Sequence, residues 1–354
     1  MKRFTASVFF TSLLAASWVL SYDASTRGAN TTSGQGAMKF RVLYDSGHLP
    51  AEAQAVLKDA HGGFAVDRRS GKGETYFALP GAGIIQISAD LKSTRMVSTQ
   101  AEMKNTNMHN ATIWYAPDGS PYLTFPGNQS ARVFTTTLDG KLVHTLEAPD
   151  GTKDLGHPEA VDYFVGRGNF VPTDTEQLNG LLYVTTGYSN LDYVLTARIL
   201  STNPFRAEWH DLAFGGRGLG PGKFGTGHGI TVPAGTNRID VSDRANGEID
   251  RFTRHGQYLS TLKAPLGSLP CDIDYLGKRA VIGALRGSDR GKGAPIYIYE
   301  DDKLISTIMV KEELGLENFQ HIHNAVLHEV GGKLYVIAQA WNPGDFAILE
   351  QVTD

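Results

Sequence analysis

Histidine recurs in one place along this chain. His61, His109, His157, His228 and His323 open the similar stretches HGGFAVD, HNATIWY, HPEAVDY, HGITVP and HNAVLHE, and Cys271 opens a sixth, CDIDYLG. Imidazole binds zinc, copper, iron or nickel, and near neutral pH it can also serve as a general acid or base. A single histidine before a strand is ordinarily satisfied by backbone. Five in equivalent places of a symmetric repeat would instead converge on one axis. Five others, His48, His144, His210, His255 and His328, fall in turns or outer strands and read as solvated surface.

The elements that would position these residues follow each start in a fixed order. A short apolar run leads to a polar turn, then a second run: ETYFAL, SPYLTF, LLYVTT, NRIDVS, RAVIGAL or KLYVIAQ. A third run, as in GIIQIS, SARVFTT, GEIDRFT and APIYIYE, precedes a last one such as KLVHTLEAP or QYLSTLKAP. Four short strands per repeat of roughly 50 residues is the pattern of a β-propeller blade. Six copies predict an all-β, six-bladed propeller over residues 39–354. The longer gap after His157 is read as an insertion, GRGNFVPTDTEQLN, on a loop. The strand KFRVLY at 39–44 is expected to complete the last blade, which removes the open edge.

Innermost strands line a propeller's channel, so alternate blades of six stand about 120 degrees apart around it. Blades two, four and six would then aim His109, His228 and His323 at the axis. Three imidazoles with a fourth position open to water or substrate is the arrangement of a catalytic zinc site. His61, His157 and Cys271 would occupy blades one, three and five. His61 and His157 could bind substrate or act as acid and base, with Tyr163 as a candidate phenol. Cys271 is open between a soft ligand and a buried packing thiol. His321, two residues before His323, would share its face if that segment is extended.

The fourth copy, GLGPGKFGTGHGITVPAGTNRIDVSDRANGEIDRFTRHGQYL, resembles an NHL repeat, and more narrowly a blade of the peptidyl-α-hydroxyglycine α-amidating lyases. The resemblance implies a propeller holding a metal on three histidines, and release of an amide and glyoxylate from a carbinolamide. It implies zinc, with iron or copper as alternatives, and it places Arg244 of DRANG where it could bind a substrate carboxylate or instead pair with Asp243. In that family blades one and three supply a catalytic arginine and tyrosine, where this chain has His61 and His157. The family also has an aspartate that helps hold calcium where this chain has Asn324, so calcium is not expected here. A phosphate-cradling loop is excluded, because it would need glycine at 217 and Ser or Thr at 224, and the chain has Arg217 and Phe224.

Composition sets the outer bounds. Of 354 residues, 41% are hydrophobic and 20% charged, the net charge is −4 and the pI is about 6.3, and no basic cluster suggests nucleic acid. Lys2-Arg3 followed by an uncharged stretch to Tyr22 reads as a signal peptide over 1–21, with an uncleaved anchor as the alternative. Residues 22–38 read as a flexible lead-in. A single cysteine allows no internal disulfide. Sequons occur at Asn30, Asn110 and Asn128. The sequence thus predicts an exported monomer, secreted or periplasmic and with no membrane contact after cleavage, that acts as a metal-dependent lyase on a peptide or small molecule. A metal-dependent lactonase or esterase, and a non-catalytic propeller that binds protein or glycan, are the other readings.

Overall fold

The computed structural model describes residues 31–352, so the expected signal peptide lies outside the described residues. Strands hold 48% of the chain and helices 7%, in six antiparallel sheets that form a six-bladed propeller. Blade one runs from Ala65–Val66 to Thr94–Met96 and blade two from Thr112–Tyr115 to Leu142–Glu147. Blade three runs from Asp174–Leu178 to Phe205–Gly215, and blade four from Gly227–Thr231 to Tyr258–Lys263. Blade five spans Leu269–Leu276 to Lys303–Ile308, and blade six begins at Ile322–Val330.

Blade six is closed by the other end of the chain. Met38–Tyr44 pairs with Asp345–Gln351 in the register Phe40↔Gln351 and Val42↔Leu349. Ser33–Gln35, within the stretch expected as lead-in, adds a fifth strand outside it.

The middle strands are apolar on both faces because each face meets a different neighbouring blade. Thr75–Leu79 is buried throughout, whereas the outer strand Tyr258–Lys263 is mostly exposed. Six apolar clusters result, one in each seam between blades. Along Leu181–Thr185, Leu182 and Val184 pack toward blade two while Tyr183 packs toward blade four, as the two-residue period of a strand requires.

The expected start of blade three was misplaced. His157 caps an α-helix, Pro158–Val165, and the inner strand is Asp174–Leu178, inside the stretch read as a loop insertion. Proline at the first helical position is pre-organised for a helix, and Ala160 and Phe164, four apart, bury its inner face. The equivalent of His109 in blade three is therefore Thr173. His328 is also buried rather than solvated, with Nε2 3.0 Å from the Ala89 carbonyl.

GPGKFG is the connection into blade four. Gly225 and Thr226 donate backbone N–H groups to Asp243 Oδ1, and Phe224 fills the seam between blades three and four. Those two N–H groups, like those of Lys223 and Phe224, are bonded to protein.

Phe40 is fully buried in the closing strand. Replacing it with alanine is expected to cost about 3–5 kcal/mol in urea unfolding, while Lys39→Ala on the exposed face stays within about 0.5 kcal/mol.

Candidate metal centre

The inner strands do not run straight through the histidines. Pairing slips by one residue between Gly227 and Gly229, between Pro270 and Asp272, and between Ile322 and Asn324. The register also slips between Met108↔Gly127 and Thr112↔Thr124, across the stretch that holds His109. Such β-bulges re-aim a side chain. Here they leave His109, His228, Cys271 and His323 outside the ladder at the channel.

The three imidazoles expected as ligands are fully buried and share one chemistry. His109 Nδ1 lies 2.6 Å from the Thr173 carbonyl, His228 Nδ1 2.8 Å from that of Cys271, and His323 Nδ1 2.7 Å from that of Gly62. A carbonyl oxygen only accepts, so each Nδ1 carries the proton and donates it. In the neutral ring each Nε2 then presents a lone pair. His109 Nε2 and His323 Nε2 face each other at 3.0 Å, and the His228 ring stands 4.7 Å and 5.0 Å, centre to centre, from those of His109 and His323. Burial, reinforced by neighbouring rings and for His228 by Arg244, holds all three well below the ordinary histidine pKa. Protonating them is therefore disfavoured. The ligand atoms that crowd within 4.8 Å of one another at this level are those of His61, His109 and His323, while His228 stands outside that set and meets it through the Tyr188 hydroxyl. The carbonyl acceptors fix the rings as outer partners of metal ligands do.

His61 differs. Its ring packs against His109, His323 and Trp341, and its nitrogen lies within 4.8 Å of those of His109 and His323. Asn107 Nδ2 donates to His61 Nδ1 at 3.2 Å, so the proton of the neutral ring is on Nε2, the opposite tautomer. Burial, with Arg244 adding to it, lowers its pKa to about 4.

His157 and Tyr163 are not part of this centre. His157 lies 3.1 Å from the Tyr193 hydroxyl, and Tyr163 sits on the Pro158–Val165 helix, donating to the Asn169 carbonyl at 2.9 Å. The phenol at the centre is Tyr188, which sequence reasoning missed. Its hydroxyl lies 3.2 Å from His109 Nε2 and 3.0 Å from His228 Nε2, and accepts from Arg244 Nη1 at 3.0 Å. The guanidinium also covers the ring at 5.2 Å. Burial raises the phenol's pKa and Arg244 opposes that. Arg244 makes no ion pair among the described residues, and Asp243 serves the GPGKFG loop instead.

Tyr188, Arg244 and Trp341 all lie just past a blade's second strand. In an antiparallel pair that end adjoins the start of the first strand, so these turns lean over the channel histidines. That position in the repeat was the signal available. Cys271 is a buried thiol beside Arg244, pushed up to about 11 by burial, and its carbonyl holds His228. His321 bonds the Leu285 carbonyl near Trp341.

His61 supplies a pH test. Between pH 6.5 and about 4 the unfolded state binds a proton on it that the folded state does not, so folding stability falls as pH drops through that window. His61→Gln should flatten the acid limb of stability against pH, by at most about 1.4 kcal/mol per unit. An unchanged limb in denaturant titrations would contradict the assigned protonation.

No family model and no curated protein sequence matches the chain. Solved structures do. Virginiamycin B lyase from Staphylococcus aureus has a TM-score of 0.50 at 13% identity, over 82% of this chain and 94% of that one. A chain of a mitotic checkpoint complex gives 0.51 at 12% identity, over 99% of this chain and 100% of that one. A streptogramin B lyase gives 0.45 at 16% identity, over 79% and 77%. At these identities the likeness is one of propeller fold.

Proposed function

We propose that this chain is an exported, metal-dependent lyase that cleaves a carbinolamide or a related hydroxylated substrate, peptide or small molecule, in its central channel. The observation that carries this reading is the facing Nε2 lone pairs of His109 and His323, 3.0 Å apart and crowded by the His61 ring nitrogen, with His228 beside them; His109, His228 and His323 are each fixed by an Nδ1–H donated to a carbonyl of the next blade. The donor set suits zinc, and iron or copper would fit the same imidazoles. A divalent ion bound there would polarise a substrate hydroxyl and make phenolate formation at Tyr188 easier.

The chain's own groups divide the proton work. Tyr188, with Arg244 on its oxygen, is placed to take the hydroxyl proton of the substrate. As the carbonyl forms, the carbon–nitrogen bond breaks and its electron pair leaves with nitrogen. Tyr188 then passes that proton to the leaving nitrogen, which restores the phenolate, and the His61 Nε2–H is placed to hydrogen-bond the substrate. Arg244, which also hydrogen-bonds the Cys271 thiol, presents its charge beside Tyr188 for a substrate carboxylate. Trp341, stacked on His61, walls the mouth.

Elemental analysis of untagged protein should find about one zinc, iron or copper per chain, lost in the His109→Ala/His228→Ala/His323→Ala variant. Tyr188→Phe should keep the metal and lower kcat on a carbinolamide by roughly 100-fold or more. No metal in the wild type after reconstitution, or full activity in Tyr188→Phe, would overturn the reading.

A further inference from the structure

The channel continues beyond the imidazoles into a second chamber. Residues two apart share one face of a strand, so Asp174 and Glu176 face one way in blade three, as Asp272 and Asp274 do in blade five. Blade three thereby contributes Asp174 and Glu176, and blade five Asp272 and Asp274, to a cavity of about 330 Å³. Ile230, Val232, Ile273 and Val326 supply apolar wall.

Charge in this chamber is unbalanced. Arg68 engages both oxygens of Asp274, at 2.8 and 2.7 Å. The other three carboxyls have only uncharged donors. Asp174 accepts from the Ile230 and Thr175 N–H groups, Glu176 from those of Val232 and Gln177. Asp272 accepts from Ile273 N–H, Thr231 Oγ1 and Asn324 Nδ2. Gly229 makes room for it, since a Cβ there would fall 2.4 Å from Asp272 Oδ1. Asn110, 2% exposed, adds one more uncharged partner to the Asp174 carboxyl. Buried carboxyls that face a cavity without a counter-charge mark a place where a cation would be favoured.

The shape decides which cation. Among the described residues, the sets whose ligand atoms crowd within 4.8 Å of one another are His61–His109–His323 and Asp243–Glu248–Asp250, so the chamber's carboxylates are too widely set to enclose one bare ion. Its volume and apolar wall instead match a charged head with a hydrocarbon body. We propose that this chamber binds a small organic amine, with the ammonium group among Asp174, Glu176 and Asp272 and the body along Ile230, Val232, Ile273 and Val326. Burial raises all three carboxyls, Asp272 to about 7 and Glu176 to about 8, as expected of groups held without their counter-ion.

The test is calorimetric titration of the full mature chain with 2-phenylethylamine, its neutral analogue 2-phenylethanol, and calcium chloride. One amine should bind per chain, the alcohol should bind at least tenfold more weakly, and Glu176→Gln should weaken the amine by roughly tenfold. The alcohol control is read on the wild type, so the result stands even if the variant fails to fold. No amine binding up to about 10 mM, equal binding of the alcohol, or displacement of the amine by calcium would overturn the proposal. The assay needs neither metal nor turnover, so its outcome is separate from that of the lyase reading.

Discussion

The structure depends on a hydrogen bond made three times, from the Nδ1–H of a channel histidine to a backbone carbonyl of the next blade. Thr173 serves His109, Cys271 serves His228 and Gly62 serves His323. The His323 bond joins the last blade, which both ends of the chain build, to the first. Ring closure and tautomer choice are therefore coupled. If a seam opened, an imidazole would lose the acceptor that keeps its Nε2 lone pair on the axis. The apolar seams supply the stability, and the bulges let the same inner strands carry both ladder and ligand.

Burial acts in opposite senses at the two levels of the channel. It drives the imidazoles down, to neutral bases, and the carboxyls of Asp174, Asp272 and Glu176 up, toward neutral acids. Both shifts have one cause, removal of water from a group whose charged form needs it. Each level then gains from a cation of different kind: a metal ion suits converging nitrogen lone pairs, and an ammonium suits separated carboxyls beside an apolar wall. Their contributions to pH-dependent stability have opposite signs.

Most of the fold was legible because the repeat is regular. The strand triplets, the closing strand at the amino terminus and the alignment of His109, His228 and His323 all follow from it. His157 was misread because the repeat spacing favoured a strand there, while Pro158 and the Ala160–Phe164 pair signalled a helix. That error concealed Asp174 and Glu176 as channel residues by placing them in a loop. Tyr188 was missed because it lies in a turn, where no periodicity marks it. What the sequence could not carry was direction: only the bulges turn Cys271 and His323 out of their ladders.

The most direct measurement of the central claim is the protonation of individual ring nitrogens, by ¹⁵N–¹H correlation spectra of histidine-labelled, metal-free protein at neutral pH, before and after adding zinc. The account predicts the Nδ1–H tautomer for His109, His228 and His323, the Nε2–H tautomer for His61, and a zinc-induced shift of the first three Nε2 resonances. Nε2–H on any of those three, or Nε2 resonances that do not move with zinc, would contradict it.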